Sequence, residues 1–243
     1  MSSLLTQVAQ RLGRAQRVAV LTGAGMSAES GVPTFRDAQT GFWSRFKPED
    51  LATPEAFARQ PEVVWNWYAW RRELVGKAEP NPGHRALVDL ATRVPALQVV
   101  TQNVDGLHQR AGLARVIELH GNLMRTICSR CGRTVETWTA EASPPRCLTC
   151  NGWLRPDVVW FGESLPHDAL TQAVEIVGAA EVALVVGTSG LVEPAASLPR
   201  LALARGAFVV EINLTPTPLT PQASAFLAGP AGEVLPDLVT RLA

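Results

Sequence analysis

Residues 17–28 read RVAVLTGAGMSA, an apolar run that breaks into two glycines and then into small residues. Val18 to Thr22 is too short for a helix and apolar on both faces, which marks a strand inside a sheet covered on both sides. Gly23-Ala24-Gly25-Met26-Ser27-Ala28 has the form G-x-G-x-x-A. At that spacing the glycines permit a tight turn and let the backbone approach a pyrophosphate, while the following helix aims its N–H groups at it. A strand ending in glycines can equally be a plain turn, and this stretch alone leaves both readings open.

The rest of the chain repeats the rhythm. Apolar, β-rich runs stand at 97–103, 116–119, 182–189 and 207–213, and helical patterns at 4–16, 62–75, 84–92, 168–178 and 195–205 separate several of them. Short apolar strands alternating with helices predict an α/β fold, a parallel sheet with helices on both faces. Segment 121–157 interrupts this with all four cysteines, a Pro-Pro pair and little apolar periodicity. It reads as a small insert held by something other than a hydrophobic core, between a larger unit made of 1–120 and 158–243.

A dehydrogenase of this pattern carries an acidic residue about 20 residues after the glycines, at the end of a second strand, for the adenosine ribose. Here that region is GVPTFRDAQTGFW (31–43), with no strand before Asp37. Hydride transfer is disfavoured. A long aromatic loop carrying Arg36 reads instead as a lid, part of a module within 35–80.

The 243 residues are 47% apolar and 18% charged, which argues against disorder, and Lys plus Arg equals Asp plus Glu at 22 each. That balance gives no field to gather nucleic acid or anionic lipid. The first residues lack the layout of a secretory signal and no run approaches a membrane span, so a cytoplasmic location is expected. In a reducing compartment, Cys128-x-x-Cys131 and, 15 residues on, Cys147-x-x-Cys150 suit a closed, tetrahedral four-thiolate zinc site better than disulfides. A redox pair or unrelated buried thiols is the alternative. Zinc would supply the folding energy that the insert lacks.

Past strand ends in a parallel sheet, side chains line the ligand crevice. Asn103, Asp105 and His108 follow one strand, and His120 follows another. A histidine with an ordinary pKa of about 6.5 suits proton removal near neutrality. Singly, Asn103 and Asp105 could be turn formers and His120 a loop residue; their convergence with the glycine turn favours a site.

Together GAGMSAESGVPTFR (23–36), TQNVDGLH (101–108), ELHG (118–121), both cysteine pairs, VVWFGE (158–163), GTSGLVEPA (187–195) and EIN (211–213) resemble the sirtuin family of NAD-dependent protein deacylases, in order and over nearly the whole chain. The resemblance implies a Rossmann-like domain plus a small zinc domain, with NAD+ as cosubstrate and acyl-lysine side chains of proteins as partners, meeting in a cleft. It implies NAD contacts at Gly23, Ala24, Gly25, Phe35, Arg36, Gln102, Asn103, Asp105, Gly187, Thr188, Ser189, Asn213 and Ala231. Asp105 would accept from the nicotinamide carboxamide. Val159, Phe161 and Gly162 would pair with substrate backbone, with Val192 along its other side. His120 would be the general base for a ribose hydroxyl, and the products would be lysine, nicotinamide and O-acyl-ADP-ribose. Protein ADP-ribosyl transfer from the same site and a non-catalytic NAD- or ADP-ribose-sensing module are the rival readings. A monomer is expected.

Segment EVVWNWYAWRREL (62–74) carries one apolar stripe at Val63, Trp67, Trp70 and Leu74 and another at Val64, Tyr68, Arg71 and Val75. Tyr68 and Arg71, three apart, share a face. An arginine among apolar neighbours is costly unless an anion meets it, and it can grip a carboxylate with two parallel bonds. The pair resembles the signature of the desuccinylase branch of sirtuins, which binds the distal carboxylate of succinyl-, malonyl- or glutaryl-lysine; Ala28 fits a roomier acyl site. The alternative is a packed Tyr68, a solvated Arg71 and an acetyl-type pocket.

Overall fold

Alternate residues of the strand at 17–22 are buried in opposite layers. Val18 and Val20 join one apolar cluster, Ala19 and Leu21 another, and all are at most 4% exposed. The same alternation recurs at 182–186, with Leu184 and Val186 on one side and Ala183 and Val185 on the other. Burial on both faces is why these strands read as continuous apolar runs. The computed structural model describes residues 2–32, 46–139 and 142–242.

Among these, β1 (Arg17–Thr22), β2 (Ala96–Thr101), β3 (Val116–Glu118), β6 (Val182–Val186), β7 (Phe208–Asn213) and β8 (Ala225–Ala228) form one parallel sheet in the order β3-β2-β1-β6-β7-β8. The chain winds outward from β1 in one direction and from β6 in the other. The crevice at that reversal, beyond the strands' C-terminal ends, is where such sheets bind ligands. Helices α1 (Ser2–Arg14), α4 (Pro82–Arg93) and α8 (Ala231–Thr240) cover one face through Leu12, Leu87, Leu90, Leu235 and Leu238. Helices α6 (His167–Ala179) and α7 (Leu198–Ala204) cover the other through Ala173, Val177, Leu198 and Ala202.

A third cluster is built by α2 (Pro54–Arg59), α3 (Pro61–Lys77) and an antiparallel pair, β4 (Gly121–Cys128) with β5 (Leu154–Val158). It holds Phe57, Val64, Trp67, Tyr68, Leu123, Val158 and Trp160. The insert therefore has regular structure that its sequence did not announce: β4 pairs across a register shift after Asn122, which scrambles the period-two pattern. Near the cysteines the core shrinks to Trp65, Cys128, Cys147 and Leu154. In α3 the deepest stripe is Val64, Tyr68, Arg71 and Val75, with Trp67 beside it, while Val63, Trp70 and Leu74 are only half-buried.

The start of α4 is tied to the glycine turn. Asn81 caps the helix by accepting from the N–H groups of Gly83 and His84, and its own amide donates to the Met26 carbonyl at 2.8 Å and the Ser30 hydroxyl at 3.1 Å. Glu29 accepts from the Gly232 N–H at 2.7 Å, holding the start of α8 beside the same turn. No helix among the described residues is long and apolar enough to cross a membrane.

Candidate active site

The ends of β1 and β6 touch backbone to backbone. Gly25 donates its N–H to the Gly187 carbonyl at 2.8 Å, and Gly23 donates to Val186 at 3.0 Å. A Cβ built on Gly25 would lie 2.7 Å from the Gly187 Cα, so neither turn has room for a side chain. Gly187 also sits at φ +60°, in the left-handed region.

From that contact a belt of hydrogen bonds runs along the strand ends. Asn103 donates from its amide to the Gly23 carbonyl at 3.0 Å and the Ser27 hydroxyl at 3.1 Å. Gln102 donates to the Thr188 hydroxyl at 3.1 Å, and Asn213 donates to the Thr188 carbonyl at 2.9 Å. The Gln102 carbonyl in turn lies 3.0 Å from Nδ1 of His120. Gly23, Gly25, Gln102, Asn103, His120, Gly187, Thr188 and Asn213 thus form one bonded constellation at the crevice.

A carbonyl only accepts, so His120 carries its proton on Nδ1 and keeps a lone pair on Nε2. Burial lowers its pKa from the ordinary value, opposed by the bond to Gln102. Asp105 is buried, which raises its pKa, while the Leu107 N–H, the Ser27 hydroxyl, Arg71 and Arg110 pull the other way. One of its oxygens accepts from Leu107 N–H at 2.9 Å, so it does form the turn into α5 (Leu107–Ala111) as well as adjoining the site.

His108 does not reach the crevice. It is 1% exposed in α5, its Nε2 lies 2.9 Å from the Thr22 hydroxyl, and its ring centre lies 4.9 Å from that of His84. The five-residue helix α5 carries it inward, against the start of α4. Ser189 is exposed, whereas Ala231 is buried at the start of α8, against Gly83. Phe35 and Arg36 lie outside the described residues.

Across the cleft, Val159 donates its N–H to the His120 carbonyl and Phe161 donates to Ala52, both at 2.9 Å. These two N–H groups are engaged within the chain, and Gly162 beside them sits in the left-handed region at φ +87°. Phe161 at 52% exposed and Val192 at 43% stand open to either side.

Tyr68 and Arg71 are both buried, 3% and 8% exposed. The solvated Arg71 of the alternative reading does not occur. Its guanidinium lies 5.0 Å over the Trp67 ring, and burial lowers its pKa against the opposing pull of Tyr68 and Asp105. Burial pushes the Tyr68 phenol up to about 12, so it is a neutral donor. Sequence reading passed over Trp160, whose indole N–H donates to the Tyr68 oxygen at 2.9 Å, and Ser27, which adjoins both Asn103 and Asp105. An aromatic just past the end of β5 and a serine between Met26 and Ala28 offer little to notice.

The four cysteine sulfurs lie within 4.8 Å of one another, with Cys128 and Cys150 3.4 Å apart and Cys131 and Cys147 4.0 Å apart. A tetrahedron with Zn–S bonds of about 2.3 Å needs sulfurs about 3.8 Å apart, so the set fits zinc. All four positions come from thiolates, which makes the site structural and keeps it out of the chemistry. A Cβ at Gly152 would sit 2.9 Å from the Cys128 sulfur, so the knuckle closes only around glycine.

Comparison with known proteins agrees. Residues 23–194 match the Sir2 family model. NAD-dependent protein deacylase 2 of Pyrobaculum aerophilum is 55% identical over 236 residues, covering 97% of this chain and 94% of that protein. Among solved structures, a Sir2 homolog–NAD complex superposes with TM-score 0.91 at 47% identity, covering 97% of this chain and 93% of the other. A Sir2 homologue variant complexed with 2'-O-acetyl ADP-ribose gives 0.90 at 47% identity, covering 97% and 95%. On this evidence the chain belongs to the Sir2 family, the sirtuins.

Proposed function

We propose that the chain is an NAD+-dependent protein-lysine deacylase that removes acidic acyl groups, succinyl and malonyl, in preference to acetyl. The acyl preference is carried by one observation: Arg71 is buried one helical turn from a buried, neutral Tyr68. A guanidinium held beside a neutral phenol can give a carboxylate two parallel bonds, with a third from the phenol hydroxyl.

When bound, NAD+ supplies an electrophilic ribose carbon and nicotinamide as the leaving group. The residues divide the remaining work. Gly23, Ala24 and Gly25, with Phe35 and Arg36, hold the dinucleotide. Gly187, Thr188, Ser189, Asn213 and Ala231 hold the adenosine half, and Gln102, Asn103 and Asp105 line the nicotinamide side. His120 takes a proton on Nε2 from a ribose hydroxyl, its ring fixed by the Gln102 carbonyl. Val159, Phe161 and Gly162, with Val192 opposite, seat the peptide. Cys128, Cys131, Cys147 and Cys150 hold zinc in a module spanning 121–157, which interrupts the unit made of 1–120 and 158–243 and packs against α2 and α3. The balanced charge supports a chain that works without nucleic acid or membrane, and we read it as a cytoplasmic monomer.

Mass spectrometry of the products tests this reading. Incubation of a succinyl-lysine peptide with NAD+ should give the free peptide, nicotinamide and O-succinyl-ADP-ribose in equal amounts. ADP-ribose added to the peptide would favour the transferase reading, and no nicotinamide release would favour a sensor.

A further inference from the structure

Tyr68 has a partner that decides which way its hydroxyl points. The Trp160 indole N–H is a donor only, and at 2.9 Å it takes the acceptor side of the phenol oxygen. The phenolic hydrogen then turns to the opposite side in the ring plane. We infer that Trp160 is a positioning residue for acyl specificity, holding the Tyr68 hydroxyl as a donor aimed away from the indole and toward the carboxylate that Arg71 would grip. This inference rests on the proposed acidic-acyl pocket and names how that pocket is kept in one hydrogen-bonding state.

The indole is itself fixed. It is 2% exposed, its ring lies 5.2 Å from that of Phe57, and the Arg155 guanidinium lies 3.3 Å over its face. Arg155 is held by both oxygens of Glu163, at 2.6 and 2.8 Å, and donates to the Val158 carbonyl at 2.7 Å. Glu163 also accepts the Trp160 backbone N–H at 2.8 Å. The indole therefore cannot rotate away from the phenol without losing its stack on that ion-paired guanidinium and its contact with Phe57. Acetyl-lysine has no distal carboxylate for the phenol to meet, so the orientation matters to one class of substrate only.

The experiment is kcat/KM on succinyl- and acetyl-lysine peptides for wild type, Trp160→Phe, Tyr68→Phe and the double variant. Losing one neutral hydrogen bond that orients a donor should lower the succinyl-to-acetyl ratio about 3–10-fold in Trp160→Phe. The carboxylate is remote from the reacting atoms, so the loss should fall on the KM for the succinyl peptide rather than on kcat. In the Tyr68→Phe background the same change should leave the ratio where Tyr68→Phe put it. Should Trp160→Phe disturb the fold, the tryptophan isostere benzothienylalanine, which fills the same volume with no N–H, gives the same comparison. Equal losses on both peptides, or additive losses in the double variant, would overturn the role of Trp160. If Tyr68→Phe and Arg71→Met lower the ratio while the Trp160 replacements do not, Trp160 alone is refuted. If none of them lowers it, the acidic-acyl reading fails and this inference with it.

Discussion

The imidazole of His120 is anchored to the backbone carbonyl of Gln102, with Nδ1 3.0 Å from the oxygen. That one bond fixes the tautomer, and Gln102 reaches on to Thr188 through its side chain. The proposed base and the crevice at the strand ends are thus tied to the same residue.

Replacing His120 by alanine should lower deacylation by about 10²–10⁴-fold while leaving the fold and the zinc in place. In the wild type, burial lowers the His120 pKa, so the neutral, basic form persists below the ordinary value of about 6.5. The acid limb of the kcat/KM profile should accordingly lie below that pH and vanish in His120→Ala. Full turnover in the variant would exclude the base assignment.

The backbone contact between Gly25 and Gly187 leaves no space for a methyl group, with a Gly25 Cβ meeting the Gly187 carbonyl oxygen at 2.9 Å. Gly25→Ala should destabilise the protein by about 1–3 kcal/mol and weaken nucleotide binding as the two turns part. Thermal denaturation with and without NAD+ separates the effects. An unchanged Tm would show that the turns yield easily.

Much of this was legible before the structure, and the boundary has physical causes. The parallel sheet could be read from Val18–Thr22 and its companion runs because both faces of each strand are apolar. Tyr68 and Arg71 stood out because three-residue spacing on a helix is unambiguous. By contrast, α8 was hidden by Pro236 inside the helix and by the glycines around Ala231. β8 is only four residues long, and β4 is broken by its register shift. The inward turn of His108 and the Trp160–Tyr68 bond depend on packing between elements far apart in the chain, which no local pattern encodes.

Zinc removal should unfold the cysteine-bearing segment. Trp65 packs on Cys128 and Cys147, and its ring meets that of Trp138 edge-on at 5.9 Å. A strong chelator, or Cys147→Ser, should change tryptophan emission, lower Tm and abolish most activity, with recovery after chelation when zinc is restored. Unchanged emission and Tm in the metal-free protein would contradict a structural role.

Acid should weaken the fold through two buried histidines. Burial, then Arg85, holds His84 at about 4, and burial, then His84, holds His108 at about 3. Above about 6.5 both are neutral whether folded or not, and their contribution to stability is complete. As pH falls from there toward 4, the unfolded chain takes up protons that the folded chain refuses, so stability declines. The slope of unfolding free energy against pH in that window should flatten in His108→Gln. An identical slope would remove His108 from the account.

The most direct test is the pair of rates on otherwise identical succinyl- and acetyl-lysine peptides with NAD+, read by nicotinamide release, for wild type and Arg71→Met. Wild type should favour the succinyl peptide, and the variant should lose about 2–4 kcal/mol of that preference, roughly two to three decades in kcat/KM, while retaining far more of its acetyl rate. A wild type that prefers acetyl, or equal losses on both peptides, would contradict the carboxylate clamp at Tyr68 and Arg71.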